Sequence, residues 1–120
     1  MGASKDASIL VTTREYCGII KDCSDFDSRL IPLINTALSK LWQLGVGSEG
    51  FEIDNDSTKW SDFTHGNKLL NLVQSYVHIS VLLLFDPPAN SFAVTSMKET
   101  LDELTWRINV IVDPKELGGA

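Results

Sequence analysis

Cysteine and histidine are nearly absent from this 120-residue chain. Cys17 and Cys23 are the only cysteines, five residues lie between them, and the histidines are His65 and His78. Two thiols cannot build the multi-bridge framework of a small secreted domain, and no standard zinc spacing can be assembled from this set. Residues 1–8 contain no apolar core of the length a secretory signal needs, so free thiols in a reducing cytosol are expected. Long apolar runs are missing too. The longest, residues 72–85, is broken by Gln74, Ser75, His78 and Ser80, which suits a buried helix rather than a membrane span. Positive charge is sparse: 10 Lys and Arg stand as scattered residues against 16 Asp and Glu, for a net charge of −6. Without a basic stripe, binding to nucleic acid by phosphate neutralisation is not expected. No glycine-rich phosphate loop, dinucleotide fingerprint, paired-histidine zinc helix or serine nucleophile elbow occurs.

What remains is an ordinary globular composition, 43% hydrophobic and 22% charged, in a length that fits one domain. The pattern is helical. Residues 6–20 place Ile9, Leu10, Tyr16, Cys17 and Ile20 near one helical face, with Asp6 or Ser8 as cap and Gly18 weakening the end. After a turn over 21–25, residues 27–44 repeat apolar side chains at Leu30, Ile34, Ala37, Leu38, Leu41 and Leu44. Asp25, Asp27 or Ser28 is the expected cap; a start near Ser28 keeps Pro32 close to the first turn, where proline is tolerated. Gly45 and Gly47 end that helix. Residues 48–66 form a long connection in which Phe51, Ile53, Trp60 and Phe63 are isolated among polar residues, with room for a short strand at 51–53 and one helical turn at 57–63. Residues 67–85 are apolar on nearly every side, as in a central helix, and Pro87 and Pro88 stop them. Asn90 or Ser91 caps a last helix with a seam of Val94, Met97, Leu101, Leu104, Ile108 and Ile111, closed by Pro114. The fold class is therefore all-α: a small antiparallel bundle of about four helices with one long loop between the second and third. A single domain is expected, with residues 1–7 and 113–120 as tails.

Candidate chemistry is thin. His78 falls inside the apolar third helix and reads as a core histidine with one ring nitrogen satisfied; His65 reads as a loop residue. Cys17 would need a base and an orienting acid brought to it in space to act as a nucleophile, so an enzyme, needing a pocket that gathers Cys17, His78 and an acid, is the weakest reading. Asp54 and Asp56 have the spacing that opens a calcium loop, but its sixth and twelfth places hold Lys59 and His65 instead of glycine and glutamate. The acidic surface serves solubility in the plainest reading; it also suits a partner with basic patches, or a wall past which DNA slides. Of the three tryptophans, Trp106 is assigned to the core beside the last helix's seam, while Trp42 and Trp60 are candidates for an interface.

Several runs together carry a family likeness. They are Asp25-Phe-Asp, Leu30-Ile-Pro-Leu-Ile-Asn-Thr-Ala-Leu38, Gln43-Leu-Gly-Val-Gly47, Gly50-Phe-Glu-Ile53 and Trp60-Ser-Asp-Phe63. Val73-Gln-Ser-Tyr-Val77, Leu84-Phe-Asp-Pro-Pro88, Ser91-Phe92 and Glu103-Leu-Thr-Trp-Arg-Ile-Asn109 follow in order. Over roughly residues 9–110 the chain resembles the head–tail connector (adaptor, or head-completion) proteins of long-tailed phages. That resemblance implies a structural virion protein of the neck, present in the host cytoplasm during assembly, with no enzymatic activity, no cofactor and no membrane. Its implied partners are the portal protein, the next neck or tail-completion protein and further copies of itself in a ring, with DNA passing through the channel without specific binding. Interface residues on this reading are Trp42, Phe51, Trp60, Phe63, Arg107, Lys115 and Leu117, the last two in a tail that could grip the portal. The alternatives are another phage structural or assembly factor, or a cytosolic helical protein-interaction module.

Overall fold

The computed structural model describes residues 7–20, 22–64 and 69–112. They form five helices: α1 (Ile9–Tyr16), α2 (Asp27–Gln43), α3 (Trp60–Thr64), α4 (Leu70–Phe85) and α5 (Ser91–Val112). The all-α expectation holds. The fifth element is α3, the single turn anticipated near 57–63.

Helix α1 begins where Ser8 supplies its hydroxyl to the Val11 N–H at 3.1 Å, satisfying one of the donors a helix start leaves unpaired. It is shorter than the periodicity of 6–20 suggested, because Gly18 turns the chain out with φ +82°. Its buried face carries Ile9, Leu10 and Thr13, and also Arg14. A buried guanidinium needs a carboxylate, and Asp27 provides one in bidentate geometry, Nε to Oδ1 at 3.0 Å and Nη2 to Oδ2 at 2.6 Å. Asp27 is thus committed to Arg14 rather than to a cap, and contrary to expectation none of Asp25, Asp27 and Ser28 caps α2, whose N-cap is Phe26 with no side-chain bond.

Along α2 the buried residues are Leu30, Ile34, Ala37, Leu38 and Leu41, the stripe the sequence displays. Pro32 lies at the sixth helical position, deeper than the first turn, and cannot donate to the Ser28 carbonyl; both residues are exposed, so water can serve that oxygen. The helix ends in a Schellman turn: Val46 N–H donates to Leu41 O at 3.0 Å and Gly45 N–H to Trp42 O at 2.8 Å, with Gly45 at φ +103°.

The long connection is bound rather than loose. Residues 51–54 form no strand, contrary to the expectation of a short one at 51–53. Their partner is a side chain: Asn35 Oδ1 accepts from Ile53 N–H at 2.8 Å, and Asn35 Nδ2 donates to Ile53 O at 3.0 Å. Further on, Ile9 N–H donates to Thr58 O and Trp60 N–H to Ala7 O, an isolated antiparallel bridge at Ser8 and Lys59 that fastens the chain's beginning to its middle. Trp60 and Phe63 are then fully enclosed. The Phe63 ring lies where a Cβ on Gly47 would stand, so that position, at φ +82°, accepts only glycine without rearrangement.

Helix α4 touches all four of the others and is the centre of the molecule, as its all-round apolar sequence implies. The start of α2 meets the end of α4, where Phe26 packs edge-on against Phe85 at 5.7 Å and Arg29 lies 4.6 Å over the same ring. The two helices are therefore antiparallel. The short 86–90 connection returns α5 along α4, its start capped by Asn90 Oδ1, which accepts from Phe92 N–H at 2.7 Å. Within α5 only Leu104 and Ile108 are fully buried; Val94, Met97 and Leu101 are half-buried, and Ile111 is exposed. The expected seam faces α4, and among the described elements α5 has no second major neighbour to close over it.

Candidate interaction surfaces

The interior offers no reactive centre among the described residues. His78 sits between Tyr16, stacked at 4.9 Å, and Trp60, edge-on at 5.7 Å. Burial pushes its imidazole down to about 4, so the ring is neutral near pH 7. Its Nε2 has no hydrogen-bond partner, nor has Gln74 Nε2 one turn earlier on α4. Cys17 is half-buried, and desolvation pushes its thiol up to about 11, the reverse of the shift a nucleophilic cysteine needs. Among the described residues no three His, Cys, Asp or Glu side chains gather as a metal cage, and no helix is long and apolar enough to cross a membrane. His65 lies outside the described residues.

The features that reach outward are large apolar side chains and grooves. Trp42, on the last turn of α2, is 41% exposed beside a small hollow lined by Ser48, Gly50 and Phe51. Phe51 is half-buried against Phe63, ring to ring at 5.0 Å. Trp60 and Phe63 lie inside, where Trp60 Nε1 donates to Thr12 Oγ1 at 2.9 Å. Arg107 is exposed on α5 and stands 3.9 Å from Glu103. Lys115 and Leu117 lie outside the described residues. The predicted interface residues therefore occupy separate places: the end of α2, the interior beneath the loop, and the outer side of α5.

Trp106 corrects the sequence reading. It is 62% exposed, not core. Its position held the signal: it is two residues from both Leu104 and Ile108, and two residues turn a helix by about 200°, to the opposite side. Phe92, 77% exposed, and Leu84, 64% exposed, were not singled out. Two grooves flank the bundle. One of about 640 Å³ follows the outer face of α2 along Pro32, Asn35, Thr36 and Ser39. The other, about 390 Å³, lies over the end of α4, lined by Leu83, Leu84, Val94 and Leu101, with Lys40 and Lys98 beside them.

A helical body with exposed aromatics, grooves and no catalytic cluster among its described residues is suited to holding other proteins. Comparison with curated proteins and with solved structures gives no match. The family model described as "Phage connector protein" matches residues 9–115, which takes in all five helices. The chain thus belongs to the phage connector protein family, structural proteins of the phage head–tail junction.

Proposed function

We propose that the protein is a head–tail adaptor that assembles as a closed ring, of about twelve copies, below the portal. In this role it extends the DNA channel and offers a platform for the next neck or tail-completion protein. The observation that carries the reading is α5: a 22-residue helix with two fully buried residues and two exposed aromatics. A helix so incompletely covered in the single chain is matched to further contacts in an assembly. The acidic balance of the chain, −6 overall, suits a channel through which DNA moves without being held. The role requires no catalytic step and no cofactor.

The direct test mixes the purified protein with the portal from the same phage genome and images the mixture by negative-stain electron microscopy. An added ring of density beneath the portal is the expected result. Bare portals at high protein excess would overturn the adaptor role and leave another assembly function for this family member.

A further inference from the structure

The groove over the end of α4 has a chemical counterpart on the same molecule. Its floor is aliphatic: Leu83 and Leu84 from α4, Val94 and Leu101 from α5. The charges lining it are the exposed Lys40 and Lys98, two of only ten positive residues in the chain. The groove exists because α2 and α5 both pack on α4 without packing extensively on each other. An occupant would need apolar groups for the floor and carboxylates for the lysines.

The outer side of α5 has that composition. Phe92 and Trp106 are fourteen residues apart, about 21 Å along a helix axis and on nearly the same side of it. Between them the exposed Glu99 and Glu103 lie on that same side, with the exposed Asp102 at its edge nearest Lys98. This aromatic and acidic stripe is about 130° around the helix from the groove-lining positions 94, 98 and 101. One copy therefore cannot bring its own stripe into its own groove, whereas a second copy can.

We infer that the stripe Phe92–Glu99–Asp102–Glu103–Trp106 of one copy docks in the Leu83–Leu84–Val94–Leu101 groove of the next, with Lys40 and Lys98 meeting its carboxylates. The two surfaces are different, so the contact is head-to-tail and leaves one of each free at every step, the arrangement that generates rings when the rotation closes. This deepens the adaptor reading by naming which surfaces meet, and rests on it for the ring as the end state.

The test is a charge exchange. Lys40→Glu with Lys98→Glu disables the groove; Asp102→Lys with Glu103→Lys disables the stripe. All these positions are exposed, and circular dichroism would verify that each variant folds. In sedimentation velocity, each double variant should need about tenfold more protein than the wild type to self-associate, as like charges now face each other. An equimolar mixture of the two should also assemble, because the wild-type stripe of one meets the wild-type groove of the other and the exchanged groove and stripe are complementary in turn. The quadruple variant, with both charge sets exchanged, should regain self-association. Double variants that assemble like the wild type, a quadruple variant that does not recover, or a groove filled by a different protein would each overturn the inference. The adaptor reading separates cleanly: portal rings formed equally well by the double variants would leave it standing and remove this pairing. Self-association that obeys the exchange beside bare portals would do the opposite.

Discussion

At the scale of single residues, the interior holds two kinds of polar side chain. Arg14 is answered by Asp27, and the paired carboxylate raises the guanidinium's already high pKa further against the opposing effect of burial. His78 and Gln74 each keep a buried nitrogen without a partner. For His78 this has a pH signature. Its folded pKa, about 4, lies below the ordinary value of 6.5, so the unfolded chain takes up a proton in a range where the folded chain does not. Stability is therefore unaffected above the ordinary value and falls as pH drops from there toward 4, by up to about 3 kcal/mol. Chemical denaturation of the wild type and His78→Leu across that range checks this. The wild type should lose stability relative to the variant as the pH falls, because the variant lacks the penalty; a pH-independent difference would contradict it. That His78 belonged to the core was legible from its neighbours in the sequence. Its unpaired nitrogen was not, because whether a buried ring finds a partner depends on residues such as Tyr16 and Trp60 that only the fold brings together.

At the scale of elements, α2 and α5 were readable because each repeats apolar residues at three and four, and the breaks at Gly45 and at Pro87 and Pro88 fixed their ends. The connection at 48–66 was readable as irregular, but its anchor was not. Asn35 looks like any neutral polar residue on the outer half of an amphipathic helix; nothing nearby in the sequence announces that its amide will pair with a backbone eighteen residues on. The same clasp meets the hydrogen bonds of Ile53 where no strand does. Asn35→Ala should lose both bonds and cost about 2–3 kcal/mol, since it strands a buried N–H and carbonyl together. Hydrogen exchange at the Ile53 amide reads this locally: strong acceleration there, with α4 amides slowed or quickened only as global stability dictates. An Ile53 amide as protected as in the wild type would show that the clasp is not what holds the loop. Trp106 is the element-level lesson in the other direction. Counting it as a neighbour of the seam ignored that successive residues diverge by about 100° around a helix, so adjacency in sequence moves a side chain off the buried face.

At the scale of the whole molecule, the buried side chains among the described residues run from Ile9 to Ile108. On the adaptor reading, the segment after Val112 serves attachment to the portal. A chain truncated after Val112 should keep its helical circular dichroism and unfold within about 1 kcal/mol of the full protein, yet fail to add density to the portal in electron micrographs. Undiminished attachment would assign the portal contact to the helical body, and loss of the fold would place the tail in the core's support instead. The central position of α4 was legible from its hydropathy; the uncovered groove beside it was not, since a sequence apolar on all sides cannot say which neighbour falls short.

The bridge between Ser8 and Lys59 also sets an order in time. It joins residues 9 and 58 through a closed loop of chain that contains all of α2. Closing a flexible loop of that size costs about 3–4 kcal/mol of chain entropy, more than two backbone hydrogen bonds return. The bridge therefore cannot hold on its own. It waits for Trp60 to arrive, and for α4 to supply the surface that encloses α1 and Trp60. The α4–α5 hairpin, joined by a handful of residues, has no such wait. The α4–α5 hairpin, closed by the shorter connection, is thus expected to form before the bridge between Ser8 and Lys59 closes.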